Sequence, residues 1–273
     1  MNARLAIAAL LLAAPAAAEA PKRTLRVCAD PNNLPFSNAA REGFENALAE
    51  LVAKDLGATL SWTWWAQRRG NVRETLNEKL CDLIPGIGSS LEMLGTTAPY
   101  YRSTYVAVTR ADRKLDIESF DDERLPSLRI GVQLIGDDAS NTPPAHALMR
   151  RGLIDNVRGF MVYGDHEQPD PQADIVEAVA SGEIDIAFVW GPVAGYFAKL
   201  QEVPLSIRPV SPRFDGPQLP MIFDVSMGTR RDDRALRDEV EQVLRRRAPE
   251  IKALLARYGV PLIEEEAAGA SAP

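Results

Sequence analysis

The chain has 273 residues, room for one large domain or two small ones, and 46% of them are hydrophobic, which suits a soluble globular protein. A net charge of −7 and the lack of a basic stripe exclude a nucleic-acid-binding face. The two histidines, His146 and His166, have no Cys or His at metal-ligand spacing, and no phosphate loop or nucleophile elbow is present.

Residues 1–20 read as a secretory signal. Arg4 supplies the basic start, Leu5 to Leu12 the apolar core, and an Ala-rich stretch runs to Ala20. The core is too short to span a bilayer. Cleavage after Ala18 or Ala20, export to the periplasm and no membrane anchor are expected. Leu25 to Ala29 reads as a buried strand, and Asp30 to Phe36 as a loop dense in turn formers. Gly43 to Leu56 follows a helical period, with Phe44, Ala47, Leu48, Leu51, Val52 and Leu56 on one face and Gly57 as its stop. A strand over Ala58 to Trp65 follows, then a helix over Asn71 to Leu80 with Val72, Leu76 and Leu80 inward. Cys81 to Ile84 is the next strand, closed by Pro85 to Gly88. Export permits a disulfide between Cys28 and Cys81. Their offset along parallel strands argues against the close Cα approach a bridge needs, so a bridge and two buried thiols both stay open.

After a strand over Ser103 to Val108 and a charged loop over Asp112 to Pro126, a second α/β unit begins. Its strands are Leu128 to Val132, Val157 to Val162 and Ile184 to Trp190. Its helices start at Thr142, read as an N-cap before Pro143, and at Asp174, where Ile175, Val176 and Val179 point inward and Gly182 is the stop. Pro204 to Val210 reads as extended, Ser211 to Pro220 as a Pro- and Gly-rich crossing, and Asp224 to Gly228 as a last strand. Two helices close the chain, burying Leu236, Val240, Val243 and Leu244, then Ile251, Leu254, Leu255 and Tyr258. The expected fold is α/β with two doubly wound lobes joined by a two-strand hinge. Lobe one takes residues 21–108 and 222–263, lobe two takes 109–221, and 264–273 form a disordered tail.

The order of Gly43-Phe44-Glu45-Asn46, Cys81-Asp82-Leu83-Ile84-Pro85-Gly86, Thr97-Ala98-Pro99-Tyr100-Tyr101, Gly131-Val132-Gln133 and Gly182-Glu183-Ile184-Asp185 resembles that of type II periplasmic solute-binding proteins. A narrower resemblance runs through Arg26 to Asn38, Gln67-Arg68-Arg69-Gly70, Pro99 to Tyr105, Gly131 to Asp138, Asn141 to Leu148 and Val189 to Ala198. These segments are similar to the quinoprotein-dehydrogenase-associated binding proteins, which include the J-type accessory protein of methanol dehydrogenase clusters. The resemblance implies a helper without catalytic machinery or a cofactor of its own. Its implied partner is a methanol or alcohol dehydrogenase that uses pyrroloquinoline quinone with calcium or a lanthanide, together with its c-type cytochrome. The alternative is an importer's receptor for an uncharged or aromatic solute.

Amino-acid receptors of the wider family hold the substrate carboxylate with a Ser/Thr-rich loop and an Arg, and its ammonium with an acid. Here Ser89 lies in the matching loop, the Arg position holds Met93 or Leu94, and the acid position falls on Trp190. Asp137 and Asp138 stand where a helix start would otherwise take an anion, and simple capping is the better explanation of them. Asp30, Asn33, Phe36, Trp65, Tyr100, Tyr101, Gln133, Trp190 and Tyr196 are candidates for the cleft wall, with core packing the alternative for each aromatic. Arg68 and Arg69 form a basic turn suited to an acidic partner surface or to solvent. Trp62 and Trp64 are expected to be structural, and the acidic loop around His166 lacks the pattern of a calcium site.

Overall fold

The computed structural model describes residues 23–68, 70–135, 141–162 and 168–264. The signal segment, Arg69, Asp137, Asp138, His166 and nearly all of the tail lie outside the described residues. In chain order the elements are β1 (Thr24–Ala29), β2 (Asn32–Asn33), β3 (Ser37–Asn38), α1 (Phe44–Asp55), β4 (Thr59–Trp64), α2 (Asn71–Glu74), β5 (Ile84–Gly88), β6 (Gly95–Thr96) and β7 (Tyr101–Arg110). Then come β8 (Ile130–Leu134), α3 (Pro143–Arg150), β9 (Val157–Met161), α4 (Asp174–Ser181), β10 (Ile186–Trp190), α5 (Gly191–Ala198), β11 (Leu205–Pro209), β12 (Ile222–Thr229), α6 (Arg234–Arg246) and α7 (Ala248–Arg257).

The chain forms a two-lobed α/β fold of the type II periplasmic binding kind. In the first lobe β1 pairs in parallel with β4, and Val27 bridges in parallel to Leu83 just before β5. The long strands β5, β12, β7, β10, β8 and β9 follow in that order across one sheet. β7 belongs to both lobes: Tyr101 to Thr104 pair with β12, whereas Tyr105 to Thr109 pair with β10. The crossing is thus made by two hydrogen-bonded neighbours, β7 and β12.

Apolar burial separates along the same line. One cluster combines Leu25, Phe44, Leu48 and Val52 with Met227, Leu236, Val240, Ile251 and Leu255. Two others draw on residues 105–221, with one exception: Leu34, from the loop after β1, is buried in the second lobe against Val176, Val189 and Val193. Behind the cleft, α5 meets the end of α7. Tyr196 stacks on Tyr258 with ring centroids 5.7 Å apart, and the Lys199 ammonium donates to the carbonyls of Ala256 and Arg257 at 3.2 and 3.0 Å. A Cβ on Gly195 would lie 1.9 Å from the Gly259 carbonyl oxygen, so only glycine permits this approach.

Three local expectations need correction, and one further helix is present. The helix from Asn71 stops at Glu74, because Thr75 takes a non-helical backbone and its hydroxyl donates to the Asn71 carbonyl. Lys79 follows at positive φ and turns Leu80 outward, 44% exposed. The strand expected at Cys81 begins at Ile84 and runs through Pro85 to Gly88. A register shift against β12 sets Pro85 and Gly86 opposite Met227 alone, which accommodates a residue without an N–H. Gly191 to Ala198 is helical despite two glycines and a proline, because nearly all of it is buried. Thr142 occupies the N-cap of α3, but its hydroxyl donates to the Gln133 carbonyl rather than capping the helix.

Cys28 and Cys81 are bridged, with Cα atoms 5.5 Å apart. The Asp82 and Leu83 amides both donate to the Arg26 carbonyl, so the chain enters β5 obliquely and brings Cys81 back over Cys28. The Arg26 guanidinium holds this turn with a two-point bond to Asp82, at 2.9 and 2.6 Å.

Candidate functional site

A cavity of about 640 Å³ opens between the lobes, beyond the ends of β1, β5, β8 and β10. Of the residues singled out in the sequence, Asp30, Asn33, Phe36, Arg68, Tyr101, Gln133 and Trp190 line it together. The other described ones lie elsewhere. Trp65 is 40% exposed outside the cavity. Ser89 shares a 2.6 Å hydroxyl contact with Ser226. Tyr100 donates to the Pro85 carbonyl at 3.1 Å, and Tyr196 packs on Tyr258 behind the cleft.

Each lobe-one group is positioned by local chain chemistry. The Asp30 carboxylate accepts the Asn32 amide at 2.9 Å and the Gln67 amide at 2.7 Å, tying the loop after β1 to the one after β4. Asp224 forms a two-point ion pair with Arg102 at 2.6 and 2.9 Å, from adjacent positions on β12 and β7.

A chain of amides then crosses the cleft. The Trp190 N–H donates to Gln133 Oε1 at 2.8 Å, and Gln133 Nε2 donates to Gln172 Oε1 at 3.1 Å. Gln172 Nε2 donates to Val162 O at 2.7 Å and across to Asn33 Oδ1 at 3.1 Å. Asn33 Nδ2 in turn donates to Gln67 Oε1 at 3.3 Å. Beside this chain, Asn32 Nδ2 donates to the Gln168 carbonyl at 2.7 Å. The two lobes are therefore joined on the cleft side by neutral hydrogen bonds as well as by the burial of Leu34.

Several cavity residues escaped the sequence reading: Glu45, Tyr105, Gln172 and Phe223. Tyr105, Trp190 and Phe223 form a three-ring group with centroids 5.3 to 6.3 Å apart. Glu45 is 3% exposed, and its Oε2 has no hydrogen-bond partner. Burial, reinforced by the nearby Asp30 charge, raises its pKa to about 8. Burial also pushes the Tyr100 and Tyr101 phenols well above their ordinary value, and the Glu45 charge adds to the effect. The only sequence signal for Glu45 is its place in the first helical turn after Gly43-Phe44, where an acid normally reads as solvated.

The anchors of an amino-acid site are not in this cavity. Met93 is 60% exposed, Leu94 is buried in a separate cluster, and neither lines the space. At the start of α5 the Trp190 N–H is already taken by Gln133, and Pro192 has none to offer. Among the described residues no group of three His, Cys, Asp or Glu could hold a metal, and no helix is long and apolar enough to cross a membrane.

The family pattern of the bacterial extracellular solute-binding proteins, family 3, matches residues 25–260. Protein MoxJ of Methylorubrum extorquens is 33% identical over 262 residues, spanning 90% of this chain and 85% of that protein. The crystal structure of periplasmic binding protein XoxJ from Methylobacterium extorquens AM1 superposes with a TM-score of 0.72 at 36% identity, covering 88% of this chain and 100% of that one. MxaJ from Methlophaga aminisulfidivorans MPT gives a TM-score of 0.74 at 28% identity, again with 88% and 100% coverage.

Proposed function

Because this chain belongs to the bacterial extracellular solute-binding proteins, family 3, we propose that it is a periplasmic binding protein that assists a quinoprotein dehydrogenase. It docks onto a methanol or alcohol dehydrogenase dependent on pyrroloquinoline quinone and helps that enzyme mature or become active, without catalysing a reaction itself. The kinship with MoxJ, XoxJ and MxaJ supports this reading. On this reading residues 1–20 are a cleaved signal, 21–108 with 222–263 form one lobe, and 109–221 form the other.

The observation that carries the proposal is the cleft-side bond between Gln172 and Asn33. An importer's receptor uses its solute to bring the lobes together. Here Gln172 and Asn33 join the lobes directly, and the positions that read as amino-acid anchors hold Met93 or Leu94 and Trp190. Tagged protein should capture the dehydrogenase from a periplasmic extract, and deletion should lower alcohol-dehydrogenase activity without lowering the enzyme's transcript. Failure of both overturns the proposal. The aromatic cavity favours a second reading, a receptor for an organic small molecule. Native mass spectrometry of the freshly purified protein tests it through a retained, stoichiometric solute.

A further inference from the structure

We infer that the interlobe cavity is a binding site for a small organic ammonium ion with an apolar body, received by the Glu45 carboxyl. The inference deepens the small-molecule reading of the cleft and is independent of the dehydrogenase partnership.

The case begins with an unmet polar group. Glu45 projects from the first turn of α1 into the cavity wall, is almost wholly buried, and leaves Oε2 without a partner. A buried, unsatisfied carboxyl oxygen is costly, and a folded protein keeps one where a ligand supplies the missing donor. The surroundings make room for it. A Cβ on Gly86 would fall 1.8 Å from Glu45 Oε1, so the bare backbone at Gly86 cradles the carboxyl. Asp30 and Asp224 are already supplied with donors, by the Asn32 and Gln67 amides and by Arg102. Glu45 alone of the three lining carboxyl groups retains an unmet oxygen.

The sign of the ligand's charge follows from the rest of the lining. Among the described lining residues Asp30, Glu45 and Asp224 are the acids and Arg68 the cation, and Asp224 is paired with Arg102. An anion would meet Asp30 and Glu45, and the Trp190 N–H just before α5 is already taken by Gln133. The walls also include the rings of Phe36, Tyr101, Tyr105, Trp190 and Phe223. Aromatic faces with a carboxylate are the chemistry that recognises an organic ammonium, because each ring presents negative charge above its plane. An ammonium ion without an acid group needs only Glu45 and these rings.

The groups that face Glu45 are Asp30 at the end of β1, Tyr100 and Tyr101 at the start of β7, and uncharged Gly86 on β5, with Arg68 and Asp224 across the same cavity. In the empty site Glu45 holds its proton up to about pH 8. A bound cation favours the ionised form, so binding expels that proton.

Calorimetric titration of the mature chain with benzylammonium at pH 6, 7 and 8, in buffers of different ionisation heats, tests the inference. Benzyl alcohol and benzoate serve as neutral and anionic comparators. Affinity for benzylammonium should rise about tenfold from pH 6 to pH 7 and level off above pH 8, with about 0.9 proton released per ligand at pH 7. At pH 8 benzyl alcohol should bind at least tenfold more weakly, and benzoate should give no heat. Glu45→Gln should lose the pH dependence and about tenfold in affinity at pH 8. Should that variant misfold, proton release by the unaltered chain decides. Equal or tighter binding of benzyl alcohol, a flat pH profile, or no heat from benzylammonium overturns the inference. None of these outcomes bears on capture of the dehydrogenase, which stands or falls separately.

Discussion

The two sides of the seam between the lobes are built differently. At the back, α5 and α7 meet backbone to backbone at Gly195 and Gly259, with Tyr196 stacked on Tyr258. At the front, contact is made by side-chain amides, Gln172 to Asn33 and Asn32 to Gln168. Close packing is all-or-none, since a gap of even an ångström forfeits much of the contact energy. Neutral hydrogen bonds exchange with water at a net cost of only about 1 kcal/mol each. The back contact is thus the tighter of the two, and the amide bonds of the front, beside the buried Leu34, are the more readily exchanged. The carboxyl of Glu45, with its buried unmet oxygen, belongs to the cavity wall on that front side.

The largest effect should come from the staple behind the front wall. Replacing Cys28 and Cys81 by serine opens a link that spans 53 residues, and the loss should be about 4 kcal/mol. Hydrogen exchange should quicken in β1 and β5 while the amides of α5 and α7 keep their protection. Equal quickening in both would abolish the distinction drawn above.

Next is the pH response of Glu45. Its proton is held more tightly in the folded than in the unfolded chain, so its contribution is fully present below the ordinary carboxyl range and is lost as pH rises to about 8. Glu45→Gln should accordingly gain about 3 kcal/mol on the unaltered protein between pH 5 and pH 8, read from denaturant melts across that range. A constant difference would mean that the carboxyl is already ionised in the empty cleft.

At the back contact, Gly195→Ala forces a methyl group onto the Gly259 carbonyl and should cost about 3 kcal/mol, with a fall in Tm on the order of 10 °C. The smallest effect is expected at the front. Gln172→Leu removes the cross-cleft donor and should cost about 1 kcal/mol. Its scattering profile should nevertheless broaden toward a more open form, which Gly195→Ala should not produce without unfolding. An unchanged profile for Gln172→Leu would show that the amides do not hold the lobes together.

How much was legible in the sequence depends on the scale of the signal. α1, α4, α6 and α7 announce themselves by periodicity, and their inward residues Phe44, Val52, Val179, Val240 and Leu255 are buried as expected. α5 was hidden, because Gly and Pro oppose a helix locally and only burial against both lobes sustains it. The Cys28–Cys81 bond could not be decided, because it depends on a two-residue turn that bends the chain into β5. Asp30, Phe36, Gln133 and Trp190 reached the cavity list through motifs shared with a family. Glu45 and Gln172 did not, because a charge in a first helical turn and an amide in a loop both read as solvated. What makes them interior is the other lobe, which no local window contains.

The position of the Cys28–Cys81 link also dictates an order of assembly. It closes entirely within the first third of the chain, yet the core beside it is completed by Leu236, Val240, Ile251 and Leu255 from the C-terminal helices. The second lobe, apart from Leu34, draws its core from one uninterrupted stretch and waits for nothing downstream. The segment made first is thus the last to be finished. For the interval between, a covalently tethered half-lobe with an uncovered apolar face is the species that a chaperone or protease would meet.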